Sequence, residues 1–162
     1  MTPDVKRPGQ ESVWDYPRPA VAEACPLHLL ISHRGIILAQ TRRGVRTRET
    51  SHPPSYYFPR EDIAMELLQA SSRRSICEWK GQASYVHANI GGDSFEDVGW
   101  SYASPTPAFL VLKGHIAFYA APFDGCFVEG EKVVPQPGAF YGGWITSRVS
   151  GPFKGAPGSR LW

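Results

Sequence analysis

Residues 83–102 read ASYVHANIGGDSFEDVGWSY, and this stretch decides the fold class. Polar and apolar side chains alternate on both sides of Gly91-Gly92, a pattern that predicts two short strands joined by a glycine turn. On the second strand, alternation sets Val98, Trp100 and Tyr102 on one face, either as core or as the aromatic wall of a cavity. Short strands broken by glycine are typical of antiparallel sheets, so we expect a mainly β protein.

Further hairpins are predicted on both sides of this stretch. Residues 27–31 and 36–39 are apolar runs around His33-Arg34-Gly35, where Gly35 can supply the positive φ of a turn. Residues 126–128 are expected to pair with residues 132–134 in the same way. Only the segment 61–68 has helical character, with acidic residues in its first turn, so we expect one or two short helical turns there.

Length and charge exclude several classes of protein. The chain has 162 residues, which suits one domain, and its net charge of +2 is too small to indicate a nucleic-acid partner. The arginine-rich run 42–48 is better explained as a solvated strand face than as a phosphate-binding patch. Residues 1–10 lack the apolar core of a signal peptide and no run approaches the length of a membrane span, so we expect a cytoplasmic protein with no membrane partner.

Neither a metal nor a cofactor is predicted. The three cysteines lack C-x-x-C spacing, so they indicate neither a disulfide framework nor a zinc cluster and suit a reducing compartment. The five histidines have no ligand-like spacing. The chain also lacks the P-loop, G-x-G-x-x-G, H-E-x-x-H and G-x-S-x-G motifs, which removes the usual support for nucleotide, dinucleotide, zinc-peptidase and serine-hydrolase functions.

Composition divides the chain into three segments. Residues 1–26 are rich in proline and aromatic residues, and we expect an extended N-terminal arm packed on the domain. Residues 27–134 are expected to form the β domain. Residues 135–162 are rich in glycine and proline yet hold more aromatic residues than a free linker usually does. We expect this extension to dock on its own domain or on a partner subunit, which would make a homodimer; exposed disorder is the alternative.

Residues 49–62 read ETSHPPSYYFPRED and hold the densest set of groups that can donate, accept or titrate. Their prolines predict a rigid loop, and rigid loops on β scaffolds often carry binding residues because preorganised groups lose less entropy on engaging a ligand. Strand alternation sets Glu49 opposite Arg46 and Arg48, so Glu49 is expected to point inward. The alternative is a stiff connection whose tyrosines only pack.

A second candidate segment is Cys77-Glu78-Trp79-Lys80-Gly81. A lysine between an indole and a glycine can be desolvated, which suits acid–base or imine-forming chemistry. Alternatively, Lys80 is a surface residue whose methylene stem covers Trp79. The catalytic interpretation requires Glu49 or Asp62 as its neighbour.

These two segments, together with Trp100-Ser101-Tyr102 and Ala117-Phe118-Tyr119, resemble the domain of unknown function family 427, also labelled nucleotidyltransferase-like. The resemblance covers residues 14–134 and implies a compact, tent-like antiparallel β fold of two splayed sheets. Similar folds often carry zinc, but this chain lacks their paired C-x-x-C clips, so no zinc is expected. The extension 135–162 looks like one that occurs in some members of the family.

The nucleotidyltransferase label has no matching motif in these residues. Such an enzyme needs a glycine-serine turn followed by metal-binding carboxylates. The nearest arrangement is Gly91-Gly92-Asp93 with Glu96 and Asp97, which is better explained as a hairpin turn.

Two functions from different classes fit the sequence. The first is an enzyme without metal or redox cofactor that performs general acid–base chemistry on a partly apolar metabolite, such as isomerisation, cyclisation, dehydration or hydrolysis, in a biosynthetic pathway. Glu49 or Asp62 would be the base, and Lys80 or Tyr57 the acid or oxyanion partner. The second is a non-catalytic module that binds a small molecule or peptide in an aromatic cage. The expected binding residues are His52, Tyr56, Arg60, Trp79, Trp100 and Tyr102.

Overall fold

The computed structural model of the protein describes residues 1–162 and contains fifteen strands and four short 3-10 helices. The strands are β1 (Glu11–Ser12), β2 (Val21–Cys25), β3 (Leu29–His33), β4 (Ile36–Thr41), β5 (Gly44–Glu49), β6 (His52–Pro59), β7 (Leu68–Cys77), β8 (Gly81–Ile90), β9 (Asp93–Ser101), β10 (His115–Phe118), β11 (Gly125–Val128), β12 (Glu131–Lys132), β13 (Val134–Pro135), β14 (Trp144–Ile145) and β15 (Val149–Ser150). The 3-10 helices are Val13–Asp15, Arg60–Asp62, Met65–Leu67 and Pro107–Leu112. None of these helices has the length and apolar sequence that crossing a membrane would require.

Two antiparallel sheets hold most of the strands. The larger has seven strands in the order β2-β5-β6-β10-β9-β8-β7, and the smaller has four in the order β12-β11-β3-β4. The short pairs β13-β14 and β1-β15 lie outside them, and β1 runs parallel to β15. None of the sheets closes into a barrel. The prediction of a mainly β protein built from antiparallel sheets is therefore confirmed.

The hairpins predicted from local turn signals are present. Gly35 in the β3–β4 turn has φ +73°, and Gly91 and Gly92 in the β8–β9 turn have φ +59° and +87°. β11 pairs with β12 as expected. The segment 61–68 forms two separate 3-10 turns, because Ile63 between them is extended and bridges Ala39 of β4.

The two faces of the seven-stranded sheet pack against different parts of the protein. One face packs against the four-stranded sheet and forms the main core, which includes Phe58 and Phe118. The other face carries a smaller aromatic cluster around Tyr57 and Trp100, covered by the Pro107–Leu112 helix. Since neighbouring residues of a strand point to opposite faces, Tyr57 and Phe58 belong to different clusters.

Residues 49–62 are not the rigid loop that their prolines predict. They contain β6, which lies between β5 and β10 inside the larger sheet. A proline lacks the N–H that a ladder needs, but Pro53 and Pro54 have no partner in either ladder of β6. Pro59 pairs only at the last position, with His115. The prolines therefore lie at positions of β6 where the sheet does not require a backbone N–H donor.

The predicted common face of Val98, Trp100 and Tyr102 is also wrong. The register of β8 and β9 shifts so that Val86 pairs with Gly99 while Ala88 pairs with Phe95. This bulge reverses the alternation within β9. Val98 consequently points into the main core, whereas Trp100 and Tyr102 point to the opposite side of the sheet.

Both terminal segments pack on the sheets. β2 lies within the segment predicted as an arm, yet it forms an edge of the larger sheet, with Glu23 2.8 Å from the guanidinium of Arg46 on β5. The residues before it pair with the extension, where the indole N–H of Trp14 donates to the Pro152 carbonyl over 2.9 Å. The extension in turn places Trp144 in the main core.

Candidate functional site

A pocket of about 330 Å³ opens on the face of the larger sheet that points away from the main core. This volume is at the lower end of the range for small-molecule sites. Strands β5 to β9 supply its floor and walls, and the C-terminal extension supplies one further wall. Of the residues predicted from sequence, the structure brings together Glu49, His52, Tyr57, Trp79, Lys80, Trp100 and Tyr102.

Glu49 and His52 face each other across the β5–β6 turn. Alternation on β5 directs Thr47 and Glu49 into the pocket, while Arg46 and Arg48 turn away and pair with Glu23. Glu49 and His52 are opposite each other in the ladder, and Nε2 of His52 lies 3.6 Å from Oε2 of Glu49. The expected inward direction of Glu49 is observed.

Gln136 of the extension fixes the tautomer of His52. Its Oε1 accepts from the Gly143 amide over 3.0 Å, so its Nε2 must be the donor to the Lys154 carbonyl at 2.8 Å. The second N–H of that amide group points at Nδ1 of His52 over 3.0 Å. Nδ1 therefore accepts, and the ring proton lies on Nε2, on the side of Glu49.

Burial is the main cause that lowers the pKa of His52. The ammonium groups of Lys154 and Lys80 add to this lowering, whereas the Glu49 carboxylate opposes it. The imidazole is therefore neutral at neutral pH, with its Nε2–H available to a ligand or to Glu49.

An NMR titration of the imidazole tests this electrostatic balance. We expect the pKa of His52 to lie below 6.5, with Nδ1 unprotonated. Glu49→Gln should lower that pKa further by removing the negative charge, and Lys154→Met should raise it by removing a positive one. Since the pKa of His52 is lower in the folded than in the unfolded chain, the unfolded chain binds more protons as the pH falls below 6.5. The free energy of unfolding should therefore decrease over that range. A pKa above that value, or a proton on Nδ1, would contradict the assignment.

The floor of the pocket is made of hydrogen-bond donors. The indole N–H of Trp100 donates to the Tyr57 hydroxyl over 3.3 Å, which leaves the hydrogen of that hydroxyl free. Burial raises the pKa of Tyr57 and of Tyr102, and the nearby Tyr57 hydroxyl raises that of Tyr102 further. Both phenols therefore stay protonated. Tyr102 donates its hydrogen to the Tyr57 oxygen, and the hydrogen of Tyr57 is left for a ligand.

Lys80 lies at the tip of the β7–β8 hairpin and points inward. Thr106 holds this tip from outside: its amide donates to the Lys80 carbonyl over 3.0 Å and its hydroxyl to the Trp79 carbonyl over 2.6 Å. Gly81 has φ +108°, a conformation that favours glycine. With the backbone held in this way, the Lys80 side chain lines the pocket, and only 9% of the residue is exposed.

Three predicted site residues lie outside the pocket. The Thr41 hydroxyl and the Arg43 guanidinium hold Asp62 on the surface, and Arg43 keeps its pKa below the usual range. Arg60 is exposed beyond the end of β6. Tyr56 points into the main core, 5.5 Å from Trp144, because it alternates with Tyr57. Of the two predicted bases, Glu49 lines the pocket beside Lys80 and Asp62 does not; Glu78, at the tip of the β7–β8 hairpin, is the other carboxylate of the pocket lining.

Sequence reasoning missed the pocket residues that lie far apart along the chain. Gln136, Tyr141 and Lys154 come from the extension, whose aromatic content indicated docking but not where. Tyr85 shares one face of β8 with His87 and Asn89, and a row of polar side chains like this one is more typical of a solvent-exposed face. Its hydroxyl bonds to Ser75 over 2.8 Å.

The acidic residues after Gly91-Gly92 have structural partners. Asp93 accepts from His33 and Arg34, each over 2.7 Å, and Asp97 accepts from Ser71 over 2.5 Å. No three His, Cys, Asp or Glu side chains are grouped so that they could hold a metal ion. Asp93 and Asp97 are therefore engaged by side chains of the protein itself.

Comparison with known proteins identifies one family. A model described as a domain of unknown function (DUF427), whose name is that of a nucleotidyltransferase-like group, matches residues 20–129. No curated protein matches the chain. The matched range includes Glu49, Tyr57, Lys80 and Trp100, and it covers more than half of the chain. The protein therefore belongs to the DUF427 family, the domain of unknown function 427.

Proposed function

We propose that the protein is an enzyme without metal or redox cofactor that performs general acid–base chemistry on a small, partly apolar metabolite. One observation carries the proposal: Gln136 holds His52 as the tautomer whose proton lies beside the Glu49 carboxylate, inside a pocket with a donor-rich floor. Preorganised groups of this kind are what proton transfer requires, because they need no rearrangement during the reaction.

Each group has a role in this chemistry. Glu49 removes a proton from the substrate, and the Nε2–H of His52 orients the carboxylate. The Tyr57 hydroxyl, or the Lys80 ammonium, donates to the oxygen on which negative charge develops. Trp79, Trp100 and Tyr102 contact the apolar part of the substrate. Isomerisation, cyclisation, dehydration and hydrolysis all use such a base and donor pair.

A non-catalytic binding module is the second candidate. The ring of Trp100 lies 4.7 Å from that of Tyr119, and the ring of Tyr141 lies 5.2 Å from that of His52, so aromatic groups line both the floor and the extension side. Such a cage binds a ligand through its aromatic faces alone. In that case Glu49 would contribute little to affinity and nothing to turnover.

Deuterium exchange distinguishes the two candidates. The protein is incubated with a metabolite extract in heavy water, and mass spectrometry follows conversion and deuterium incorporation. We expect wild-type protein to change at least one metabolite and Glu49→Gln to slow that change about 100-fold. Glu61→Gln, which alters an exposed carboxylate, is the matched control and should keep the wild-type rate. Equal rates for the two variants would contradict acid–base catalysis, and a metabolite that copurifies unchanged would favour the binding module.

We also propose that the enzyme works in the cytoplasm and serves a biosynthetic pathway. All three cysteines are free thiols, which is usual in a reducing compartment. Homodimer formation through the extension stays a prediction that a native mass spectrum can test.

A further inference from the structure

We infer that Lys80 is the counter-ion for a carboxylate group of the substrate, so that the pocket accepts an amphipathic organic monoanion. The inference rests on the proposed function in taking this pocket as the substrate site. It assigns Lys80 to binding and leaves the Tyr57 hydroxyl as the oxyanion donor.

Lys80 is a buried cation without an anionic partner. Its ammonium group lies 3.8 Å from the Cys77 sulfur and 5.6 Å from the centre of the Phe109 ring, and no carboxylate is within ion-pairing distance. By contrast, Arg43 pairs with Asp62, and Lys154, which lines the same pocket, donates to the Trp162 carbonyl over 2.9 Å. A buried charge is costly unless it is paired, so an unpaired ammonium that lines a pocket favours an anionic ligand.

The groups around Lys80 suit the oxygens of such an anion. Phe109, over which the ammonium lies, belongs to the same cluster as Tyr57 and Tyr102. Each phenol keeps its proton and can donate one hydrogen bond, and the Tyr57 oxygen already accepts from Trp100. The Tyr102 hydroxyl donates its hydrogen to the Tyr57 oxygen, so the floor offers one positive charge and one free neutral donor, the Tyr57 hydroxyl, to an incoming acceptor group.

A carboxylate fits this set better than a phosphate. Lys80 is the one pocket cation whose charge has no oxygen partner, and the Glu49 carboxylate lines the same pocket and repels a dianion. Phosphate sites usually combine several backbone amides or a bidentate arginine, and no arginine lines this pocket. The aromatic walls select an apolar body attached to the carboxylate.

Binding of a matched set of probes tests the inference. The probes are 3-phenylpropanoate, its neutral amide 3-phenylpropanamide and 2-phenylethyl phosphate, and their affinities are measured by calorimetry or ligand-observed NMR. We expect wild-type protein to bind the carboxylate about 30-fold more tightly than the amide. Lys80→Met should abolish this preference while leaving amide binding unchanged. Lys113→Met, which removes an exposed charge outside the pocket, is the control and should keep the preference.

Several results would overturn the inference. These are equal affinities of wild-type protein for carboxylate and amide, a preference that survives in Lys80→Met, tighter binding of the phosphate ester, or no carboxylate binding at all. Lys80→Met should fold with a raised melting temperature because it removes an unpaired buried charge. If Lys80→Met fails to fold, Lys80→Gln serves as the second variant. Glu49→Gln should keep the carboxylate preference. Failure of catalysis in the exchange experiment is thereby separable from failure of the anion site.

Discussion

Trp144→Ala should lower the free energy of unfolding by about 3–5 kcal/mol. The indole is 1% exposed and packs against Tyr56 and Phe58, with ring centres 5.5 and 6.0 Å away. Its N–H donates to the Phe118 carbonyl over 2.9 Å. Alanine would leave both a cavity and a buried acceptor without its partner, and the two losses act in the same direction.

Urea denaturation of the two proteins measures this loss. The matched control is Phe140→Ala, which removes an aromatic ring from the same extension where it is 66% exposed. The free energy of unfolding of this variant should stay within about 0.5 kcal/mol of the wild-type value. If both variants lost the same small amount, the extension would not unfold together with the sheets. A large loss for Trp144 alone would show that a segment beyond the family match is part of the folding unit.

Gly155→Ala should lower the free energy of unfolding by about 3 kcal/mol or more. Gly155 has φ +104°, and a Cβ atom there would collide with the backbone carbonyl of Pro137. Neither backbone can yield without moving Gln136, which precedes Pro137 and fixes the His52 tautomer. The variant should therefore also change the imidazole NMR signals of His52.

Gly158→Ala is the matched control for this prediction. Gly158 also has a positive φ, +83°, but a Cβ atom there meets nothing within 4 Å. Its free energy of unfolding should fall by only about 1 kcal/mol, the cost of placing alanine in that backbone conformation. Its His52 NMR signals should match those of wild type. Equal losses for the two variants would mean that the contact between Gly155 and Pro137 is not maintained in solution.

Hairpins were the predictable part of this fold. Their signals are local: glycines at positions that need a positive φ lie between runs with a period of two, as at Gly35 and at Gly91-Gly92. The same period correctly directed Glu49 toward the interior, because alternation along β5 is visible in the sequence. Lys80 lies in the turn between β7 and β8, where no period applies, so the sequence left its direction open.

Long-range pairing was the part that sequence could not supply. Nothing local indicates that β6 has a neighbour on each side, so its prolines pointed to a loop. The bulge that separates Val98 from Trp100 depends on how β8 and β9 pair, and alternation within one strand cannot reveal it. The contact between Gln136 and His52 joins residues 84 positions apart.

The contact between Gln136 and His52 crosses the boundary between the part of the pocket inside the family match and the part beyond it. The family match ends at residue 129, so it includes Glu49, Lys80, Tyr57 and Tyr102 but not Gln136 or Tyr141. A chain with the same matched domain and a different extension would have another wall on this side of the pocket and another partner for His52. Exchanging the extension would therefore alter the pocket wall and the proton affinity of His52 without changing a residue inside the family match.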